Sequence, residues 1–307
     1  MAKRSIEEVE IAGKRVFLRV DFNVPLADGQ VTDDARLVAV LPTLAYARGA
    51  GARVILASHL GRPKGKPDPK YSLAPVARHL GTALGQEVPL APDCVGPEVE
   101  ARAQALAAGE LLLLENLRFH PGEEANDPAF ARSLAALADL YVNDAFAAAH
   151  RAHASTEGIT RYLRPAVAGL LMRRELEILA RIVEAPDRPL VAILGGAKVS
   201  DKLKLVQSLL TRVQRLLIGG GMAFTFLKAK GYEVGKSLLD EEKVEMCAGA
   251  MQRAKERNIP LILPTDIVVA DALAPDAHTR VVRADQIPAD WVGVDVGPET
   301  IRIFEDA

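Results

Sequence analysis

Polar side chains stand where the first hydrophobic segment of the sequence ends. In the segment "RVFLRVDFNVP", residues 15–25, an apolar run is followed by Arg19, Asp21 and Asn23 at every second position. Alternate residues of an extended chain point to the same side, so this spacing predicts that the three groups lie side by side. Guanidinium groups bind carboxylate or phosphate through paired hydrogen bonds, which makes a small anionic ligand the natural candidate.

Three further hydrophobic segments of the first half end in the same way, at "SHLGRP", "ENLRFH" and "VNDAF" followed by "AHRAHAS". The polar residues at these ends are Ser58, His59, Arg62, Asn116, Arg118, His120, Asn143, Asp144, His150, Arg151 and His153. Arg36, in "TDDARL", opens the next helical segment and can join them. Each residue alone is ordinary, since a single Arg is more often a surface ion-pair partner and Asp or Asn often caps a helix. Four such ends in one half favour an anion-binding cleft over a purely structural sheet.

The hydrophobic segments of the second half end in glycine and lysine instead. "AILGGAKVSDK" contains Gly195, Gly196, Lys198 and Lys202, and "LLIGGGMAF" contains a glycine triplet at 219–221. Glycine lets a ligand approach the backbone, a helix N-terminus offers free N–H groups, and lysine adds positive charge for phosphates. Neither segment matches the G-x-x-x-x-G-K-[ST] or G-x-G-x-x-G fingerprints. A tight turn explains such glycines about equally well, so a nucleotide site is one of two interpretations.

The elements that would hold these residues are short apolar runs alternating with helical patterns, which is typical of parallel α/β proteins. We predict two Rossmann-like, three-layer α/β/α domains with mainly parallel sheets, joined by a helix. The domains are expected at residues 1–168 and 185–307. The joining helix is expected at 169–184, with Glu177 and Arg181 as an i,i+4 ion pair. The clearest crossover helix is "NDPAFARSLAALADL", with Asp127 as N-cap and Pro128 as its first residue.

Composition excludes several classes of protein. The 307 residues carry 38 Lys+Arg against 40 Asp+Glu, a net charge of -2, so no global basic field draws the chain to nucleic acid or an anionic membrane. The two cysteines, Cys94 and Cys247, belong to no C-x-x-C motif and are interpreted as ordinary thiols of a reducing compartment. No run reaches the roughly 18 apolar residues of a membrane span. We expect a cytoplasmic, soluble protein.

An anion site in one domain and a nucleotide site in the other suggest group transfer, with hinge closure excluding water.

The quoted motifs, in this order, resemble the successive signatures of the phosphoglycerate kinase family, a glycolytic enzyme family. The resemblance implies reversible, in-line phosphoryl transfer between 1,3-bisphosphoglycerate and MgADP, giving 3-phosphoglycerate and MgATP by hinge-bending. It implies substrate binding by Asp21, Asn23, Arg36, His59, Arg62, Arg118 and Arg151. It implies nucleotide binding by Gly195, Gly196, Lys198, Lys202, Gly219, Gly220 and Gly297.

The resemblance also divides the roles among these residues. Asp21 and Asn23 are expected at the carboxylate-side oxygens of the substrate, and His59 and the three arginines that follow it are expected to neutralise its 3-phosphate. Arg36, Lys198 and Lys202 are expected to act on the transferring phosphoryl group. Magnesium is expected to be held mainly by ATP or ADP, with no metal ligands assigned in the protein. The family resemblance further implies a monomer. The balanced charge and the lack of a long apolar run predict that it has no nucleic-acid or membrane partner.

The family continues beyond "VDVGPETIRIFEDA" with further strands and a second glycine-rich turn, so the second domain is expected to be incomplete. The alternative function is therefore a truncated, catalytically impaired fragment that still binds 3-phosphoglycerate. A dinucleotide-dependent dehydrogenase is disfavoured, because no G-x-G-x-x-G motif follows any predicted strand.

Overall fold

The apolar runs of the sequence form strands in the computed structural model, which describes residues 4–200 and 202–307. The chain divides into two units, Met1–Leu179 and Ala180–Ala307. The division falls inside the helix Leu170–Glu184, which occupies the segment predicted to join the domains. The assignment of substrate to the first unit and nucleotide to the second stays a prediction.

The first unit is built on a parallel sheet covered on both faces. Its strands are β1 Arg15–Arg19, β2 Leu26–Ala27, β3 Gln30–Val31, β4 Arg53–Ala57, β5 Leu111–Leu113, β6 Leu140–Asn143 and β7 Ala166–Ala168. The sheet has the order β5-β4-β1-β6-β7, and β2 and β3 form a separate antiparallel hairpin. Val16 and Leu18 of β1 pack in one hydrophobic cluster and Phe17 in another, as expected for a strand buried on both faces. The three-layer α/β prediction is confirmed for this unit.

The described residues of the first unit contain six α-helices, and the start of one of them, Pro128–Ala136, was predicted from a cap signal. The helices are α1 Ala35–Gly49, α2 Ala74–Leu84, α3 Pro97–Ala105, α4 Pro121–Glu124, α5 Pro128–Ala136 and α6 Leu170–Glu184. The carboxylate of Asp127 accepts a hydrogen bond of 2.8 Å from the backbone N–H of Phe130, which confirms the predicted N-cap of α5. The Glu177–Arg181 pair predicted in α6 is wrong. Glu177 lies 3.5 Å from Arg173 instead, and Arg181 pairs with Asp187 beyond the helix end.

The second unit contains one parallel and one antiparallel sheet. Its elements are β8 Val191–Leu194, α7 Leu203–Leu209, β9 Arg215–Ile218, α8 Met222–Ala229, α9 Val244–Glu256, β10 Leu261–Ile262, β11 Asp266–Ala270, β12 Thr279–Arg283, β13 Val292–Val296 and α10 Pro298–Glu305. The parallel sheet has the order β10-β9-β8, and the antiparallel sheet has the order β12-β11-β13. The sequence pattern placed "WVGVDVG" among parallel strands, which is wrong. No helix separates β11, β12 and β13, and a parallel connection needs a crossover of a dozen or more residues.

Among the helices of the described residues, none has both the length and the apolar character needed to cross a membrane.

Candidate functional site

The strands whose ends were singled out in the sequence are neighbours in the first sheet, in the order β5-β4-β1-β6. Parallel strands bring their carboxyl ends to one edge, so the residues after them meet there. Oδ1 of Asn23 accepts a hydrogen bond of 2.8 Å from the N–H of Gly61, and Nη1 of Arg118 donates to the carbonyl of Gly61 at 2.8 Å. The ends of β1, β4 and β5 are thereby joined through one backbone residue.

Arg36 joins this edge from the first turn of α1. Its Nη1 donates to Oδ2 of Asp21 at 2.5 Å, while Oδ1 of Asp21 accepts from the N–H of Asn23 at 3.1 Å. The Asp21 side chain is 12% exposed and that of Arg36 is 49% exposed. The carboxylate is therefore held inside, and the guanidinium keeps free N–H groups toward solvent.

Arg19 does not share the environment of Asp21 and Asn23. It is almost fully buried, and its guanidinium donates to Oγ of Ser155 at 2.8 Å and to the carbonyl of Val20. A third bond of 3.1 Å joins its Nη2 to Nδ1 of His59. Arg19 thus supports the site from within the protein.

His59 is buried at the end of β4 and surrounded by cations. Burial and the charges of Arg19, Arg118 and Arg151 lower the pKa of His59 to about 2. Its imidazole is therefore neutral at physiological pH, which argues against the charge role predicted for His59; that role stays a prediction. The ring can still act as a hydrogen-bond donor.

The other predicted cations differ in exposure. Arg118 is buried, and burial lowers its pKa while Glu124, with Oε1 3.1 Å from Nε, acts in the opposite direction. Arg62 is exposed and Arg151 is half-buried. His153, left out of the predicted binding set, lies with Nδ1 3.8 Å from buried Glu123, and burial lowers its pKa.

Several of the polar residues at the strand ends are structural. Asn116 accepts from the N–H groups of Leu60 and Arg118 and donates to two carbonyls, which satisfies its amide. Asp144 is fully buried, and its Oδ1 accepts from the N–H of Met172 in the first turn of α6 at 2.9 Å. Burial raises the pKa of Asp144.

Asp93, Cys94 and His120 bring their potential ligand atoms within 4.8 Å of one another. Hydrogen bonds within the group account for this proximity, since Oδ1 of Asp93 accepts from Nε2 of His120 at 2.7 Å and from the N–H of Cys94 at 2.6 Å. Burial, with Asp93 beside it, raises the pKa of the Cys94 thiol, so the sulfur stays protonated and is a poor metal ligand.

In the second unit the two glycine turns contact each other. β8 and β9 are paired, and the N–H of Gly219 donates to the carbonyl of Leu194 at 2.8 Å. Gly220 has φ +61°, and a side chain there would come within 3.0 Å of the backbone of Gly196. The side chain of Lys202 lies over Gly196, whereas Lys198 is exposed. Asp201 of the same motif lies outside the described residues.

A cavity of about 270 Å³ opens beside the second glycine turn. Its wall includes Gly220, Gly221, Phe224, Leu238, Leu273, Gly293, Val294 and Asp295. Leu273 is 81% exposed, although it is a large apolar residue. An apolar cavity with a carboxylate at its edge suits a flat ring bearing a polar substituent. The apolar wall was not predicted from the sequence, because these residues come from separate elements and Leu273 lies in the loop between β11 and β12.

Gly297, predicted to contact the nucleotide, has a structural reason to be glycine. A Cβ at this position would lie 2.2 Å from the carboxylate of Asp266. That carboxylate accepts from the N–H groups of Glu299 and Thr300 and so caps α10. Burial alone would raise the pKa of Asp266, but the hydrogen bonds from Thr300 and Glu299 outweigh it and hold the pKa below its usual value.

Comparison with known proteins matches the chain to one family over almost its whole length. A model of the family described as phosphoglycerate kinase matches residues 6–307. Phosphoglycerate kinase of Moorella thermoacetica is 56% identical over 307 residues, covering 100% of this chain and 78% of that protein. The cytosolic phosphoglycerate kinase of Triticum aestivum is 54% identical over 309 residues, covering 99% of this chain and 77% of that protein.

Solved structures agree with this assignment. The structure of phosphoglycerate kinase from Coxiella burnetii matches with a TM-score of 0.85 and 43% identity, over 99% of this chain and 77% of that one. The enzyme from Pyrococcus horikoshii matches with a TM-score of 0.84 and 32% identity over the same shares. Since the family motifs, the sequence identity and the fold all coincide, the chain belongs to the phosphoglycerate kinase family.

Proposed function

We propose that the chain catalyses reversible phosphoryl transfer between MgATP and 3-phosphoglycerate. In the direction of ATP use, a carboxylate oxygen of 3-phosphoglycerate attacks the γ-phosphorus. A bond forms from that oxygen to phosphorus, the bond from phosphorus to the ADP oxygen breaks, and the products are 1,3-bisphosphoglycerate and MgADP. No covalent intermediate with the protein is needed.

The observation that carries this proposal is the group of guanidinium and imidazole side chains at the ends of β1, β4, β5 and β6. In-line phosphoryl transfer depends on positioning and charge neutralisation more than on a base. Arg118 is fixed against Gly61, and Asn23 is fixed against the same residue, which gives a rigid cradle. Exposed Arg62 and half-buried Arg151 are free to meet a phosphate.

Each polar group of the first unit has a proposed role at the substrate. The 3-phosphate is bound by Arg62, Arg118 and Arg151, and His59 donates a hydrogen bond. Asp21 and Asn23 contact the oxygens near the carboxylate. Arg36 meets the transferring phosphoryl group, a role in which an arginine contributes on the order of 10³ to 10⁵ in rate. Holding the reactants in line supplies roughly 7–11 kcal/mol of barrier reduction.

The nucleotide is proposed to bind at the glycine turns of the second unit. The cavity beside Gly220 takes the base, and Gly195, Gly196 and Gly219 let the phosphates approach the backbone. Lys198 and Lys202 contact the phosphates. Magnesium accompanies the nucleotide, because lysines and backbone N–H groups suit phosphate oxygens and not a cation. Gly297 acts indirectly, by leaving room for Asp266.

Calorimetric titration with 3-phosphoglycerate tests the substrate assignment. Arg62→Ala should weaken binding by about tenfold or more, since it removes a charge-assisted contact with phosphate. Arg102→Ala is the matched control, because Arg102 is a surface residue of α3 paired with Glu98. Equal affinities of the two variants would contradict the assignment.

The alternative of an impaired fragment that only binds 3-phosphoglycerate is not favoured by the comparisons. The chain spans 77–78% of the length of the relatives named above. A turnover measurement separates the two functions. We further propose a cytoplasmic, monomeric protein with small-molecule partners, on the strength of the relative named as cytosolic and of the balanced charge of the sequence.

A further inference from the structure

Glu123 is a fully buried carboxylate in α4, and the hydrogen bonds that its side chain accepts come from one short loop. Its Oε1 accepts a hydrogen bond of 2.5 Å from Oγ of Ser155, and its Oε2 accepts one of 2.9 Å from the N–H of Ser155. The carbonyl of Glu123 also accepts from the N–H of Ala154. A buried charge is costly unless it is hydrogen-bonded, so this carboxylate fixes the loop after β6 firmly.

Ser155 links the carboxylate of Glu123 to the guanidinium of Arg19 through hydrogen bonds. A hydroxyl has a single proton, and the proton of Ser155 is donated to Glu123. The lone pairs of Oγ are therefore left to accept the hydrogen bond of 2.8 Å from Nε of Arg19. Together with the bond to the carbonyl of Val20, this sets the orientation of the guanidinium plane.

The orientation of Arg19 in turn determines which nitrogen of His59 carries a proton. Arginine has only donors, so Nδ1 of His59 must accept in its 3.1 Å contact with Nη2 of Arg19. In a neutral imidazole the proton then resides on Nε2. No hydrogen bond from Nε2 is found among the described residues, and this N–H remains available to an anionic ligand.

We propose that Glu123 and Ser155 are positioning residues that orient Arg19 and thereby hold His59 in the tautomer that donates from Nε2 to the substrate phosphate. The four residues come from four places in the first unit: α4, the loop after β6, the end of β1 and the end of β4. The substrate part of this proposal rests on the proposed function. The tautomer part does not.

The tautomer can be measured directly by two-bond ¹H–¹⁵N correlation of the histidine side chains, with the His59 signal assigned from a His59→Gln variant. The wild-type chain should show His59 protonated on Nε2. Ser155→Ala removes the acceptor of the Arg19 Nε proton, and His59 should then populate both tautomers. The control is Ser133→Ala, which removes a hydroxyl from an exposed residue of α5 and should leave the His59 signals unchanged.

Ligand affinity gives a second measurement. A purely structural role of Ser155 would not change the affinity for 3-phosphoglycerate while leaving that for ADP unchanged. Ser155→Ala should weaken 3-phosphoglycerate binding by about tenfold, because a directed hydrogen bond is lost, and should leave ADP binding unchanged. Glu123→Gln keeps the side-chain size, loses the charge, and should have the same two effects. It serves as the second variant if Ser155→Ala does not fold.

Either of two results would overturn the proposal: a wild-type His59 protonated on Nδ1, or a folded Ser155 or Glu123 variant with the wild-type tautomer and affinity. Failure of the proposed function would look different. In that case the wild-type chain would not bind 3-phosphoglycerate, although the His59 tautomer would still respond to Ser155→Ala.

Discussion

Arg36 Nη1 donates to Asp21 Oδ2 at 2.5 Å, so the first turn of α1 is joined to the segment that follows β1. The carboxylate of Asp21 is largely buried, while half of the arginine side chain is exposed. Asp21 therefore holds one N–H of the guanidinium and leaves others free for a ligand. This arrangement pre-orients an arginine at the edge where the polar strand ends meet.

Replacing Arg36 tests its proposed role in the reaction. Arg36→Ala should lower turnover by a factor on the order of 10³ or more, because it removes charge stabilisation in the transition state. Binding of 3-phosphoglycerate should weaken much less. Arg36→Lys keeps the charge but loses the planar fork of the guanidinium, so its turnover should lie between those of the wild type and Arg36→Ala. Near-normal turnover of Arg36→Ala in a coupled assay would remove Arg36 from the mechanism.

His59 should make the stability of the protein sensitive to acid. Its pKa is about 2 in the folded protein against 6.5 for the unperturbed side chain, so between these values the unfolded chain binds a proton that the native state does not. Stability is therefore lost as the pH falls below 6.5, with a slope of at most about 1.4 kcal/mol per pH unit from this group.

Urea unfolding followed by circular dichroism between pH 5 and 7 checks this slope. His59→Gln should flatten the pH dependence of the free energy of unfolding. His278→Gln, at an exposed histidine of the second unit, should leave it as in the wild type. Identical slopes for all three proteins would show that His59 does not contribute.

Gly169 should be intolerant of a side chain because of Asp144. A Cβ at Gly169 would lie 2.2 Å from Oδ1 of Asp144, which is buried and hydrogen-bonded to the N–H of Met172. Gly169→Ala should lower the free energy of unfolding by roughly 1–3 kcal/mol. Gly49→Ala is the control, since nothing lies within 4 Å of a Cβ there. Equal stabilities of the two variants would contradict this packing.

Leu273 should contribute to nucleotide affinity although it is exposed in the free protein. It lines the apolar cavity beside Gly220, and a bound base would cover it. Leu273→Ser should weaken ADP binding roughly three- to tenfold through lost apolar burial. Val281→Ser, at an exposed residue of β12 that does not line the cavity, should have no effect in the same titration. Unchanged affinity of Leu273→Ser would place the base elsewhere.

The sequence predicted which residues stand at the strand ends, but not the environment of each of them. Alternation in "RVDFNVP" identified Arg19, Asp21 and Asn23 together, yet Arg19 turns into the protein toward Ser155, which is 136 residues away in the chain. The neutral state of His59 depends on burial and on three arginines from other segments. Contacts between residues so far apart in the chain cannot be predicted from the local spacing of residue types.

The missed elements have physical reasons as well. Glu123 lies in α4, a helix of only four residues, which is too short for a detectable helical period. In the second unit, only the absence of helices between β11, β12 and β13 indicates an antiparallel sheet. Where a long element carried a cap signal, as Asp127 does before α5, the prediction was correct.

The most direct test of the central claim is a coupled assay of the purified 307-residue chain with MgATP and 3-phosphoglycerate, run beside calorimetric titration of 3-phosphoglycerate alone. We predict turnover that Arg36→Ala abolishes, together with 3-phosphoglycerate binding that Arg36→Ala only weakens. Absence of both turnover and 3-phosphoglycerate binding in the wild-type chain would contradict the account.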